Sequence, residues 1–332
     1  MQILLITPSF FGYERSIADA FRAAGHVVDV FDERPSNKAW ARAAVRVAPA
    51  VLSYRIARHY RSLVARIESA DYDALLVVKG EVVPSWFLEW FIEYNPRAVR
   101  AYYTFDSLSN SPQGLRLLSR FDHKFSFDPR DVESHPGFRY KPLFYSTEYA
   151  PSGAARDLDI SFVGTLHGDR YAFTQAVASG IPGERKLLYY FIPAAWFFWL
   201  RKLTSGDVRP VRRNDVQTSP LSRDDTVRLM QRSKAVIDVQ RQGQAGLTMR
   251  TFEALATGAA LITANEAVRG EAFFDPARVL VTPRDPDLID PAEIERFTTM
   301  QPAVGVAPAG FDDYSLASWV DEFIDVFQQG VS

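Results

Sequence analysis

Arg250 and Glu253 lie three residues apart at the expected start of a helix, MRTFEALAT, after the strand AVIDVQ and its loop RQGQAGLTM. In an open parallel sheet, ligands bind beyond the carboxyl ends of the strands. The first turn of the helix that follows offers unbonded N–H groups and a positive dipole end, a seat for a diphosphate. Arg250 adds a permanent two-pronged donor for phosphate oxygens. Glu253, one turn in, can accept two hydrogen bonds from vicinal hydroxyls. Gly258 stops the helix and ALITAN returns into the sheet. The same residues also fit a plain amphipathic helix, with Met249, Phe252, Leu255 and Ala256 packing on the sheet.

Acid–base chemistry has three candidates near the carboxyl ends of expected strands. These are Glu81 after ALLVVKG, Asp106 after AYYTF and Asp128 after HKFSF. Asp106 ranks first, because its flank YYTFDSLSN offers aromatics and hydroxyls suited to a sugar pocket; Glu81 ranks second. Acidic residues at strand–helix junctions also cap helices, and capping is the better reading for Asp128. Two Asp-x-Asp strings, Asp157–Asp159 and Asp285–Asp287, lack the strand context of a metal motif. The five histidines show no ligand spacing, and His167 reads as a solvated loop residue. Without cysteine, thiolate metal sites, disulfides and cysteine nucleophiles are excluded. No metal or other cofactor is expected.

The elements that must position these groups alternate strand and helix. QILLIT, HVVDVF, ALLVVKG, AVRAYYTFD, HKFSFD and KPLFYS are expected strands of a first half, with a helix from about Pro84 to Tyr94 among its helices. DISFVGT, AVIDVQ, ALITAN and VLVTP belong to a second half, which also holds the helix DDTVRLMQRS. Such alternation indicates a parallel sheet in each half. The small and polar segment TEYAPSGAARDLD reads as the linker between them. The 332 residues thus divide into Rossmann-like domains at 1–150 and 151–312. A final amphipathic helix at 313–330 buries Leu316, Trp319, Phe323 and Phe327 on one face.

The chain carries 38 Lys and Arg against 40 Asp and Glu, a net charge of -2, which argues against nucleic acid as a partner. Locally the balance differs. From Pro35 to Ile67 there is no acidic residue. Lys38, Arg42, Arg46, Arg55 and Arg58 recur there with Trp40, Tyr54 and Tyr60 between them. Such a stretch suits an anionic membrane surface or a phosphate-bearing lipid acceptor, and equally a solvated helical face. A second stretch, ERKLLYYFIPAAWFFWLRKL, has the composition of an interfacial anchor. A buried helix pair broken at Pro193 is slightly favoured for it, with Trp196 and Trp199 as an exposed remainder. Its apolar run Leu187–Leu200 has 14 residues, short of the ~20 needed to span a bilayer. A cytoplasmic chain attached peripherally to the inner membrane is expected.

The segment GLTMRTFEALATGAALITAN resembles the donor-binding motif of group 1-like glycosyltransferases, in particular the CgeB-type and polysaccharide-assembly branch. Arg250, Phe252, Glu253, Ala254, Leu255 and Gly258 match the phrase R-x-F-E-A-L-A-x-G. The resemblance implies a GT-B α/β architecture, two Rossmann-like, doubly wound domains facing across a cleft. It also implies a nucleotide-sugar donor held by Arg250, Glu253, Gly164, Thr165, Arg170 and Thr248, with Glu253 on the ribose. The acceptor would be a surface polysaccharide or lipid-linked glycan, and the base would come from the first domain. Where retaining members carry a first glutamate, this chain has Ala245, so inversion or retention stays open. A sugar-nucleotide epimerase or hydrolase on the same fold, or a non-catalytic nucleotide-sugar-binding protein, remains an alternative.

Overall fold

The structure, a computed structural model, describes residues 1–10, 12–36, 49–299 and 305–330. In chain order its strands are β1 Gln2–Thr7, β2 Val27–Asp32, β3 Ala74–Val78, β4 Val99–Tyr103, β5 His123–Ser126 and β6 Phe138–Tyr140. They continue as β7 Leu158–Thr165, β8 Lys186–Phe191, β9 Val216–Gln217, β10 Ser233–Asp238, β11 Ala260–Thr263 and β12 Val279–Val281. The α-helices are α1 Tyr13–Ala23, α2 Pro49–Ile67, α3 Ser85–Tyr94, α4 Pro129–Ser134 and α5 Arg170–Ser179. After them come α6 Ala195–Thr204, α7 Arg223–Gln231, α8 Met249–Ala256, α9 Pro291–Thr299 and α10 Leu316–Gln329.

The chain forms two compact units, one of Met1–Pro142 with Leu316–Ser332 and one of Leu143–Ser315. The first holds a sheet of order β2-β1-β3-β4-β5-β6, the second one of order β12-β11-β10-β7-β8-β9. Every pairing is parallel. Helices cover such strands on both faces, which explains why the central strands are continuous apolar runs. Ile3–Ile6 and Ala74–Val78 are wholly buried. The expected α/β class with two doubly wound sheets is what the structure contains.

α10 packs in the first unit. Trp319 and Phe323 meet Tyr103 and Phe125 at ring-centroid distances of 5.0 Å each, and Phe327 stacks on Phe21 at 6.4 Å. Leu316, Trp319, Phe323 and Phe327 are all buried, as their spacing predicts.

Three expectations need correction. KPLFYS is not a strand: β6 ends at Tyr140, and Tyr145 makes only an isolated bridge to Ser315. The 147–159 segment is not a linker, and the units divide after Pro142, not Ala150. Its anchoring is invisible to composition: Tyr149 is buried, and Arg156 donates to the carbonyls of Met230, Ser233 and Thr257. The 184–203 stretch is a strand and a helix, β8 and α6, where a buried helix pair was favoured. Pro193 falls in the turn between them.

Candidate functional site

In the second sheet the strand order reverses between β7 and β10, and a doubly wound sheet binds ligands at such a point. Asp238 ends β10, buried, and accepts from Thr248 Oγ1 at 2.8 Å and Thr251 Oγ1 at 2.7 Å. Burial pushes its carboxyl above the usual range, against the pull of Arg170 and Arg250. Thr248 also caps α8, its hydroxyl accepting from the Arg250 amide at 3.1 Å. The threonine thus fixes the helix start, and its hydroxyl is engaged within the protein. Asn265, after β11, donates to the carbonyls of Ala245 and Gly246 at 3.0 and 3.3 Å, which pins the loop before α8.

α8 is amphipathic for a reason that serves the site. Phe252 packs with Phe273 and Tyr314 at 6.0 and 5.4 Å. Gly258, with φ +74°, ends the helix where an added Cβ would stand 2.5 Å from the Val306 amide nitrogen. The half-buried Arg250 guanidinium donates to Glu253 at 2.8 Å, and the buried Tyr149 hydroxyl also bonds that carboxylate. Sequence reasoning gave Arg250 to phosphate and Glu253 to vicinal hydroxyls, did not foresee that the two side chains bond each other, and missed Tyr149, which sat in the supposed linker.

Arg170 opens α5, donates from Nε to the Val239 carbonyl at 3.0 Å, and reaches the Thr165 carbonyl at 3.4 Å. Burial pushes this guanidinium down to about 10; Asp238 opposes the shift, and Arg241, Arg250 and Arg284 reinforce it. Arg284 forms a two-pronged pair with Asp169 at 2.7 and 2.8 Å and donates to the Gln240 carbonyl. Arg241 and Arg284 were absent from the expected set: Arg241 lies in the loop just before α8, where no spacing singled it out, and Arg284 follows β12, far from the motif in sequence. His167 is not a solvated residue. It is half-buried, and burial with the charges of Arg170, Arg241 and Arg201 pushes its imidazole down to about 4. Gly164 has a packing reason to lack a side chain: a Cβ there would lie 2.6 Å from the Phe162 ring.

The first sheet reverses order between β1 and β3. Directly after β3, Lys79 adopts φ 76° and Gly80 φ 65°. A left-handed lysine is uncommon and costs on the order of 1 kcal/mol. It is held by its amide bonding the Tyr103 carbonyl at 2.8 Å and by the Tyr102 hydroxyl donating to its own carbonyl at 2.6 Å. The turn places Lys79 Nζ 3.9 Å from Glu81 Oε2 and 3.8 Å from Asp106 Oδ2. Both carboxylates proposed from sequence therefore meet at one lysine.

They are not equivalent. Glu81 is buried and bound to Arg34 at 2.6 Å, whereas the Asp106 side chain keeps 14% exposure. Beneath them Glu33, fully buried, accepts from the Glu81 amide at 3.0 Å. Desolvation, opposed by Arg34, raises the Glu33 carboxyl to about 7. Lys79 is lowered by burial, with Glu81 and Asp106 opposing. Much of the YYTFDSLSN flank is engaged within the protein. Tyr102 and Tyr103 are core residues, and the Thr104 and Ser107 hydroxyls donate to Ser126 and Asp128. Asp128 caps α4 as its sequence context implies, accepting from the Arg130 amide at 3.1 Å.

On the basic stretch, Lys38, Arg42, Arg46 and Trp40 lie outside the described residues. Arg55 and Arg58 are exposed on α2, but Tyr60 is buried against Phe31 and Phe87 and belongs to the core. Both Asp-x-Asp strings are structural: Asp157 pairs with Arg232, Asp159 with Arg185 and Lys234, and Asp285 caps a short 3-10 helix. Among the described residues, no group of three or more His, Asp or Glu is placed to hold a metal ion. No helix among them is long and apolar enough to cross a membrane.

Residues 175–301 match the family described as glycosyl transferase-like. No curated protein matches the chain. Among solved structures, the chain is similar to the lipopolysaccharide outer core galactosyltransferase WaaB, with TM-score 0.59 and 14% identity over 99% of this chain and 100% of that one. Sucrose-phosphate synthase from Thermosynechococcus elongatus matches with TM-score 0.63 and 11% identity, covering 99% of both chains. HepE of Anabaena, in complex with UDP and glucose, matches with TM-score 0.63 and 12% identity over 99% of this chain and 100% of that one. At these identities the likeness carries the GT-B fold, and the family match carries the glycosyltransferase relationship.

Proposed function

We propose that this chain, a group 1-like glycosyltransferase of GT-B fold, moves a sugar from a nucleoside-diphosphate donor onto a glycan or lipid-linked acceptor at the cytoplasmic membrane face. The observation that carries the donor half is the set Arg170, Arg241, Arg250 and Arg284 near buried Asp238. The charges of Arg241, Arg250 and Arg284 weigh on Arg170, and a diphosphate among them relieves that repulsion. The same charges stabilise the negative charge that builds on the leaving diphosphate as the glycosidic bond breaks. In this reading Glu253, oriented by Arg250 and Tyr149, accepts from the donor ribose. Thr165, Gly164 and Thr248 shape the loops around it. The reaction needs no metal here, since arginines supply the positive charge.

Asp106 is the proposed general base for the acceptor hydroxyl. Lys79 Nζ lies 3.8 Å from its carboxylate, and the carboxylate's partial exposure leaves it open to an incoming hydroxyl. Glu81 is assigned to holding Arg34 and Lys79. Because HepE was solved with UDP and glucose, UDP-sugars are the first donors to try. The similarity to a lipopolysaccharide galactosyltransferase and the exposed Arg55 and Arg58 favour a lipid-borne acceptor near an anionic surface. The test is thermal stabilisation by a panel of UDP-, GDP- and dTDP-sugars. A shift with one nucleotide series that Arg250→Ala removes supports the reading, and no shift with any sugar nucleotide overturns it.

A further inference from the structure

α6 presents two faces of opposite character. On the inner side Phe198 is buried in the second unit's core, with Lys202 Nζ 5.6 Å from its ring centroid. Arg201 ties the helix down by donating to the Leu166 carbonyl and to Asp207, each at 2.7 Å. On the outer side Trp196, Trp199, Leu200 and Leu203 are 68, 54, 47 and 78% exposed. Their spacing of i, i+3, i+4 and i+7 puts them on one stripe of the helix. A firmly anchored helix that leaves two tryptophans and two leucines in water calls for a partner.

Charge identifies that partner. Trp196 to Asn214 contains five Lys and Arg against one acid, Asp207, and Arg201 already holds that acid. Arg209 and Arg212, in the turn following the short helix packed on α6, are exposed. Tryptophan beside lysine and arginine is the composition of a membrane–water interface, where the indole sits at headgroup level. A second copy of this surface would instead bring like charges together. At 10 residues, α6 is too short to cross a bilayer and suited to lying in its surface.

We propose that α6 is an interfacial anchor, laying Trp196, Trp199, Leu200 and Leu203 into an anionic lipid surface with Arg209 and Arg212 at the headgroups. Its biological use rests on the membrane-borne acceptor proposed above, whereas its test does not. The full chain is sedimented with phosphatidylcholine vesicles and with mixed phosphatidylcholine–phosphatidylglycerol vesicles. Binding is expected only to the mixed vesicles and is weakened by salt. The double variant W196S/W199S lowers the partition about tenfold or more, since the indoles carry most of the buried area. Tyr94→Ser, at an exposed tyrosine of the first unit, leaves it unchanged.

Sugar-nucleotide stabilisation, measured on the same samples, separates the two proposals. Failure to bind vesicles while a donor still stabilises the protein overturns the anchor and leaves the transferase reading standing. Binding that survives W196S/W199S also overturns it and moves the lipid contact elsewhere. So does wild-type self-association that the double variant abolishes without any vesicle binding. Vesicle binding as expected, with no donor effect, supports the anchor and sinks the donor reading.

Discussion

The carboxyl edges of the two sheets are built on related strand orders but carry opposite electrostatics. In the first unit, Arg34 and Lys79 interleave with Glu33, Glu81 and Asp106, so charge is nearly balanced and mostly buried. In the second, Arg170, Arg241, Arg250 and Arg284 gather with Asp238, Asp169 and Glu253 as the acids near them, so cations outnumber acids there and acids outnumber cations in the first. A doubly wound sheet fixes where a ligand sits, and the loop residues fix what charge it has. The first edge suits handling a proton beside a neutral hydroxyl. The second suits holding an anion and receiving more negative charge as a bond breaks.

The largest expected break of this contrast is Asp106→Asn. Loss of a general base lowers the transfer rate by about 10²–10⁴-fold. Donor affinity, a property of the arginine-rich edge, should stay within about twofold. Rapid-quench turnover with a saturating donor, alongside calorimetric donor binding, measures both. Retained turnover would mean that the first edge does not supply the base, and a parallel loss of donor affinity would mean that the two edges are not separable.

Glu33 tests whether the first edge is truly balanced. Burial holds its carboxyl at about 7 in the folded protein, against an ordinary value of 4.5 in the unfolded chain. The native state therefore binds more protons than the unfolded chain between those values. The associated stability is fully present below the lower pKa and is lost as pH rises through about 7, up to about 3 kcal/mol in all. Glu33→Gln, which cannot ionise, should unfold at higher denaturant than wild type at alkaline pH, with the difference shrinking toward acid. A variant–wild-type difference that does not change with pH would show that Glu33 keeps its charge by another pairing.

Much of the second edge was legible because its parts are local. Arg250, Glu253 and Gly258 fall within one helix and its stop, where spacing translates directly into a shared face. The two-domain α/β fold followed from that motif and from strand–helix alternation. What escaped was mostly non-local. Arg284 and Tyr149 reach the edge from segments distant in sequence, and Tyr149 was hidden in a segment whose small residues suggested a linker; Arg241 was local but carried no spacing to single it out. The first edge shows the same limit in another form. Glu81 and Asp106 stand at strand ends where sequence places them, yet only the structure separates them, through an Arg34 some 47 residues from Glu81. Aromatic composition was an uneven guide: the two tyrosines of the Asp106 flank proved to be core, whereas Trp196 and Trp199 are exposed on α6 as the expected remainder, though the stretch is a strand and a helix where a helix pair was favoured.

Arg250→Ala sharpens the second edge. Removing one charge-assisted donor costs about 1.5–3 kcal/mol of binding, on the order of a tenfold to hundredfold loss of donor affinity. Glu253 keeps its bond from Tyr149, so the fold should be little changed. Calorimetric titration with the stabilising sugar nucleotide checks it. Undiminished affinity would move the diphosphate away from α8.

His167 gives the smallest effect and the finest discrimination. Its imidazole is held near 4 by burial and by Arg170, Arg241 and Arg201, so it is neutral at physiological pH. A diphosphate among those cations offsets their field, and the histidine pKa must rise in the complex. Binding is then coupled to proton uptake, and affinity increases as pH falls below neutrality, by a few-fold over about two pH units. The diphosphate diester of a UDP-sugar does not titrate in that range, so the slope reports the protein. Titration of the His167 ring signals by NMR, with and without donor, reads the shift directly, and His167→Gln should flatten the affinity profile. An unshifted histidine in a saturated complex would place the anion outside this cluster, and the contrast between the two edges would lose its functional meaning.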